Sequence, residues 1–299
     1  FLNVISIFSF IGISLGVAVL IIVMSVMNGF RTELINKIVG FNPHITVKSY
    51  DNNGIDRNKL DNNNLKLITK NLIFSNSGEA IILKNNTSKG IVLRGYQTKE
   101  FSNLTIIKND KFKGDKSKLD KNSISIGNEL SFSLGLKIKD KITIMSPSGV
   151  ETIIGSMPKQ KTFEITSIFN SGLADFDNNI ALINLDTLDE FFGFDQKDRN
   201  LEIYLNDPKN IDLQKQIVQK IFDQEFIYTW ADMNSSLFSA LKVERNVMFI
   251  ILSLIIIVAA FNIISGLTIL VKNKTRDIAI LKSIGVLNKS IVKIFFLIG

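Results

Sequence analysis

The sequence predicts a membrane protein with an α + α/β fold, in which two transmembrane helices with stalk extensions flank one mixed domain. Three observations carry this expectation. Residues 4–27 and 248–271 are uncharged runs of 24 residues each, rich in Ile, Leu, Val and Phe. At a helical rise of about 1.5 Å per residue each run reaches about 36 Å, enough to cross a hydrocarbon core of about 30 Å. The second run is followed by KNKTRDIAILKSIGVLNKSIVK, where six basic side chains (Lys272, Lys274, Arg276, Lys282, Lys289, Lys293) stand against one acid, Asp277. Positive charge behind a span marks the cytoplasmic side. Between the spans lie several short alternating runs, which read as strands.

The first run is too long for the apolar core of a signal peptide and is followed by Met27-Asn28-Gly29 rather than a small-residue cleavage site. Gly12 and Gly16 form a G-x-x-x-G step within it, which either admits a neighbouring helix closely or reflects a span rich in small residues. The helical pattern continues beyond the run through Phe30, Leu34 and Ile38, with Glu33 and Lys37 spaced i,i+4, so residues 1–40 read as a span and its stalk. Gly40 and Pro43 supply a stop. Leu237, Leu241 and Glu244 repeat this pattern ahead of the second span, giving a stalk and span over 235–271.

Residues 41–234 read as the domain carried between the stalks. HITVKSY is a strand, 56–71 a modest helix, and EAIILKN and KGIVLRGYQ are strands, giving β-α-β-β within 41–110. LEIYLND, a helix from 208 to 223 and FIYTW give β-α-β within 199–234. The two pieces read as halves of one split ferredoxin-like subdomain. The insertion, 111–198, holds a short helix at GNELSFSLGL, strands at DKITIMS, KTFEITSIF and NNIALIN, and a helix at TLDEFFG, and reads as a mostly-β subdomain. Within it, 146–161 carries two prolines, two glycines and the apolar Ile153, Ile154 and Met157. Such a hairpin is either a docking element or a long hairpin folded back on its own subdomain.

The formal net charge of +7 invites a nucleic-acid reading, but residues 272–299 supply +5 of it, and no basic patch carries interleaved aromatics. A chain without cysteine has no disulfide, thiolate metal site or thiol chemistry. No G-x-x-x-x-G-K-[ST] loop is present to cradle a nucleotide phosphate. The lone histidine, His44, reads as structural, and ADFDNN, with Asp175 and Asp177, as a loop rather than a metal pair. The expectation is a non-catalytic chain. The first residue is Phe1 and the last nine open a fresh apolar run, so 291–299 is expected to begin a third span, with later spans outside this stretch.

Several residue runs resemble a known family. GISLGVAVLIIVMSVMNGFRTELINKIVGFNPHITV is similar to the first span and stalk of the LolC/LolE permeases, membrane subunits of a lipoprotein-releasing ABC transporter. WADMNSSLFSALKVERNVMF, LIIIVAAFNIISGL and VKNKTRDIAILKSIG resemble the second span and its cytoplasmic continuation, and SMPKQKTFEITSIFNSGLADFDNN the region between. The resemblance implies a multi-pass protein of the bacterial inner membrane with its large domain in the periplasm. Implied partners are an ABC ATPase dimer, a second permease subunit (the same or paralogous), a periplasmic lipoprotein carrier, an acylated lipoprotein substrate and the bilayer. No cofactor is expected in this chain, since ATP and Mg would sit on the ATPase.

The resemblance also implies roles for residues. The segment 272–290 would be a coupling helix on the ATPase, through Lys274, Arg276, Asp277, Ile278, Ile280, Leu281, Lys282 and Gly285. The residues agree, since Ile278, Leu281 and Ile284–Gly285 give an apolar stripe beside the cationic Arg276 and Lys282; the alternative is a basic juxtamembrane segment on anionic lipid. Ile153, Ile154, Met157 and Pro158 would form the tip of a hook for the carrier. Met24, Met27, Phe249 and Phe261 are expected to line a lipoprotein cavity, chosen by position and adaptability. Asn262, polar in mid-span, joins Gly12 and Gly16 as a helix-packing residue. Other readings remain open: a mechanotransmission permease driving efflux or a cell-wall hydrolase, and a two-span sensor.

Overall fold

The computed structural model describes residues 2–50, 53–84, 87–152, 155–208 and 211–298. The chain divides into two units, Phe1–Thr32 with Ser236–Gly299, and Glu33–Ser235. In chain order the elements are α1 (Leu2–Phe41), β1 (Ile45–Lys48), a 3-10 turn (Arg57–Asp61), α2 (Asn63–Ile68), β2 (Thr69–Lys84), β3 (Thr87–Tyr96), α3 (Thr98–Phe101), α4 (Thr105–Lys108), β4 (Lys113–Gly114), β5 (Ser123–Gly127) and α5 (Asn128–Ser133). They continue as β6 (Lys141–Thr152), β7 (Gly155–Phe169), α6 (Ala174–Asn179), β8 (Ile180–Asn184), α7 (Leu185–Phe192), a 3-10 turn (Gln196–Asp198), β9 (Asn200–Leu205), α8 (Ile211–Ile221), β10 (Phe226–Thr229), α9 (Trp230–Met233), α10 (Ser235–Asn273), α11 (Thr275–Ser283) and α12 (Asn288–Ile298).

The helices α1 and α10 are unbroken over 40 and 39 residues. Among the described side chains their apolar segments are mostly exposed, with Phe249 68% and Ile250 64% exposed and Leu20 buried, as suits helices long and apolar enough to cross a membrane. The expected Glu33–Lys37 pair forms at 3.6 Å. The first helix runs one residue past Gly40, which keeps an ordinary negative φ, so Pro43 is the effective stop.

Among the described residues the unit Glu33–Ser235 holds a ten-stranded sheet in the order β10-β1-β9-β2-β3-β8-β5-β7-β4, with β6 pairing both β2 and β7. The first four strands are antiparallel and join two β-α-β segments, β1-α2-β2 and β9-α8-β10. Alternation explains β9: Leu201, Ile203 and Leu205 enter a core with Ile45, Val47, Leu65, Val218 and Phe222, while Glu202 and Tyr204 face the other way. Burying each such aliphatic side chain is worth about 1.5–3 kcal/mol.

The sequence reading groups β3 with β1 and β2, but β3 pairs with the far half of β2 and, in parallel, with β8. The long strand β2 serves two neighbourhoods: Thr69–Ser75 against β9, then Asn76–Lys84 against β3. Because β6 closes between β7 and β2, the ring β2-β3-β8-β5-β7-β6 has no open edge. Its interior is the largest core, including Ile82, Leu93, Ile124, Ile144, Phe163 and Ile183, capped by Leu130 of α5 and Leu188 and Phe191 of α7. Helix α7 starts where Asn184 accepts from the backbone N–H of Asp186 and Thr187, and stops at Gly193 with φ +75°.

Several expectations need correction. Residues 56–71 are not one helix but a 3-10 turn and the short α2, separated where Asn62 caps the second by accepting from Asn64 N–H. ADFDNN is the helix α6, not a loop. The segment 272–290 is not one helix either: α11 ends at Ser283, and α12 begins at Asn288.

Candidate functional site

Helix α11 follows α10 after a one-residue break at Lys274, whose ammonium donates to the Asp277 carboxylate at 2.9 Å. The hydroxyl of Thr275 reaches back to the Lys272 carbonyl at 2.7 Å and so closes the end of α10. At the other end Gly285 has φ +91°; its N–H donates to Lys282 O, and Val286 N–H donates to Leu281 O, both at 3.1 Å. These two bonds make a left-handed helix stop of the Schellman type. Gly285 is therefore the stop of α11, whereas the sequence reading places it within a continuing helix.

The expected stripe also shifts. Ile278 and Leu281 are half-buried, whereas Ile280 (55%), Ile284 (72%) and Leu287 (74%) are the exposed apolar side chains. Ile280 and Ile284 are four residues apart on α11 and its C-cap, in the same stretch as the exposed cations Arg276 and Lys282, and Leu287 follows the stop. Ile284 belongs to the expected stripe, whereas Leu287, beyond the stop at Gly285, does not. An apolar row edged by cations suits a partner surface with a hydrophobic groove and acidic rim.

The hairpin β6–β7 is the second feature. From Lys141↔Glu164 to Met145↔Gln160 its strands belong to the closed ring, and β6 there also pairs β2 through Ile81↔Met145 and Leu83↔Thr143. The ladder then breaks between Met145 and Gly149 and resumes from Gly149↔Pro158 to Thr152↔Gly155. Among the described residues this outer ladder pairs with no third strand. Its root is fixed by Lys159, which donates to the Glu190 carbonyl at 2.6 Å. Pro158 is exposed. Ile153 and Ile154 lie outside the described residues, and the side chain of Met157 lies outside the described ones as well.

Of the expected cavity residues, Met24 (43%), Phe249 and Phe261 (64%) are exposed and Met27 is half-buried. A Cβ at Gly12 or Gly16 would meet nothing within 4 Å, so neither glycine is covered by another described segment of this chain. The side chain of Asn262 lies outside the described ones.

Polar anchors hold the end of α1 within the larger unit. Arg94 donates to Asn42 Oδ1 at 2.9 Å and its guanidinium lies 5.1 Å from the centre of the Phe41 ring, which in turn stacks on Phe176. His44 accepts from Leu205 N–H on Nδ1 at 2.8 Å, and burial lowers its pKa despite the hydrogen bond to the Val39 backbone. The Glu202 carboxylate is buried among three hydroxyl donors, Ser75 at 2.6 Å, Tyr204 at 3.0 Å and Tyr96 at 3.2 Å. Burial raises both tyrosines, and the neighbouring Glu202 charge pushes the same way. Burial also raises the Asp177 carboxyl, although it accepts from Ser171 N–H at 2.8 Å. These groups join elements and do not converge on a reacting atom. Among the described residues no three of His, Asp or Glu cluster as metal ligands.

Comparison with known proteins gives a concordant result. The description "MacB-like periplasmic core domain" matches residues 6–221. "Lipoprotein-releasing system transmembrane protein LolC" of Neisseria meningitidis serogroup B is 31% identical over 307 residues, covering 100% of this chain and 73% of that protein. "Lipoprotein-releasing system transmembrane protein LolE" of Haemophilus influenzae is 28% identical over 309 residues, covering 98% and 72%. The crystal structure of the periplasmic region of MacB from Actinobacillus actinomycetemcomitans overlaps 67% of this chain and 95% of its own at a TM-score of 0.38 and 11% identity, a likeness too distant to carry weight.

Proposed function

The chain belongs to the LolC/LolE family of lipoprotein-releasing transmembrane permeases, and from that membership we propose that it is the permease subunit that extracts outer-membrane-directed lipoproteins from the bacterial inner membrane and passes them to a periplasmic carrier. The observation that carries the proposal is the extent of the likeness. It runs the length of the chain, through both apolar helices and the segment after the second as well as the core domain.

Energy has to come from a partner. Drawing a triacylated anchor out of a bilayer costs about 0.8 kcal/mol per exposed CH₂, and the sequence holds no phosphate-cradling loop. In this account α11 sits on an ABC ATPase dimer through Ile280, Ile284, Leu287, Arg276 and Lys282. ATP binding moves it, and the unbroken α10 transmits the motion. The outer ladder of β6–β7, with Pro158, serves as the hook for the carrier. Met24, Met27, Phe249 and Phe261 face the acyl chains once a second permease subunit completes the cavity, with Gly12, Gly16 and Asn262 at the helix contacts. The domain faces the periplasm, on the strength of the basic segment after α10.

The strand order β10-β1-β9-β2 supports reading 41–110 and 199–234 as a split ferredoxin-like subdomain, and the closed ring supports an inserted mostly-β subdomain over 111–198 that recruits β3. The test of function is reconstitution of the full-length protein in proteoliposomes with its ATPase and a triacylated lipoprotein. Transfer of the lipoprotein to a soluble carrier on ATP addition is expected. Copurification with a cell-wall hydrolase or an outer-membrane channel, without such transfer, would overturn the proposal.

A further inference from the structure

Beside the end of α1 the larger unit contains a cavity of about 370 Å³ that none of the preceding roles uses. Its walls come from four places in the chain: the end of α1, the start of β2, the α3–α4 segment and the end of β9. The polar lining includes Lys70, Lys108, His44, Asn71, Asn103 and Asn206, and no Asp or Glu lines it. Neither lysine ammonium forms an ion pair or a hydrogen bond among the described residues. Both lysine side chains are exposed where they border the cavity, so their charges are open to an entering anion.

A second, independent observation concerns Lys70. Thr69 faces Leu205 and Asn71 faces Tyr204 across the β2–β9 ladder, so Lys70 is the extra residue of a β-bulge. A bulge re-aims the side chain it carries, and such devices are frequent beside binding sites. Here it belongs to a residue that lines the cavity. The His44 ring at the wall is held on both sides, by Leu205 N–H on Nδ1 and by its own hydrogen bond to the Val39 backbone, so it shapes the wall and leaves the lysines as the charged groups there.

We infer that this cavity is a binding site for an acidic peptide segment, whose carboxylates pair with Lys70 and Lys108 and whose backbone meets the carboxamides. The class follows from three features. The volume lies in the range of organic-ligand sites rather than of a single inorganic anion. Carboxamides complement both the N–H and the C=O of a peptide. Apolar Val39, Ile73 and Leu104 also line the cavity and accommodate side-chain carbon. Joined to the proposed function, the segment belongs to the polypeptide of the cargo; binding itself is separable from release.

The test uses the full-length protein in nanodiscs of zwitterionic lipid and a dye-labelled, capped peptide bearing paired aspartates, read by fluorescence anisotropy. Saturable binding is expected, weaker by about tenfold or more in Lys70→Gln/Lys108→Gln, since each charge-assisted contact is worth roughly 1.5–3 kcal/mol. The equivalent charge change at exposed Lys113 and Lys121 (both to Gln) should leave it unchanged. Equal binding of the asparagine analogue, or equal binding by the double variant, would overturn the inference. Competition by inorganic phosphate or by anionic vesicles at lower concentration than the acidic peptide would overturn the peptide assignment. Lipoprotein release measured on the same samples separates this from the transport proposal: release without peptide binding sinks only the site.

Discussion

Replacing Gly285 distinguishes a helix stop from a contact surface. Its φ of +91° lies in the left-handed region, and a Cβ added there would meet no atom within 4 Å. Alanine therefore suffers no packing clash, and its whole cost is conformational, about 1–2 kcal/mol for an L-residue held in that region. The cost falls on the bonds from Gly285 N–H to Lys282 O and from Val286 N–H to Leu281 O that end α11. Asparagine tolerates the left-handed region better, so Gly285→Asn should retain the stop although it is polar. The assay is amide hydrogen exchange across residues 281–287 of the full-length protein in nanodiscs. Gly285→Ala should lose protection by roughly 5–30-fold, the opening factor that 1–2 kcal/mol implies, and Gly285→Asn by less. If alanine is the better tolerated of the two, Gly285 acts as apolar surface and the assignment of the stop is refuted.

Two further outcomes follow from buried charge. Arg199 donates to Asp189 at 2.7 Å and to Asp186 at 2.6 Å, and Asn76 donates to the other Asp189 oxygen at 3.3 Å, tying α7 to β2 and β9. Arg199→Met strands the buried Asp189 carboxylate, whose pKa burial already raises, and should cost about 3–5 kcal/mol in urea unfolding. Arg199→Met/Asp189→Leu should recover most of that, and a single-variant cost under about 1 kcal/mol would contradict the account. His44 is kept neutral in the fold, with its pKa below the ordinary 6.5. The folded state thus binds fewer protons than the unfolded one, so stability is fully present above 6.5 and is lost as pH falls toward the depressed folded value. Between about pH 7.5 and 5.5 the wild type should lose stability relative to His44→Asn, whose oxygen can still accept from Leu205 N–H; parallel pH profiles would contradict this.

What could be read in advance was whatever depends on local pattern. Uncharged runs and the alternation of Leu201, Ile203 and Leu205 state their structure within a few residues. The first half of β2 escaped because NLIFSNSG is polar and contains Gly78, whose missing side chain makes room for the Phe192 ring, 2.6 Å from an added Cβ. The five-residue β5 (SISIG) does alternate, but it is short and its serines are buried, Ser125 accepting from the Ser167 hydroxyl at 2.8 Å, so the polar face does not mark solvent. Closure of the ring depends on Ile81↔Met145 and β3 on its parallel pairing with β8, contacts between distant segments that no local window contains. The expected single helix over 272–290 fails for a local reason: φ +91° at Gly285 turns the chain, and helical projection past that point fails.

The central claim, that α11 couples ATP binding on a partner to lipoprotein release, is tested most directly by ATP-driven release from proteoliposomes carrying Arg276→Glu with Ile280→Asp. Both side chains are exposed, so the fold and lipoprotein binding should persist. The account predicts release at the level seen without ATP. Release at the wild-type rate would contradict it.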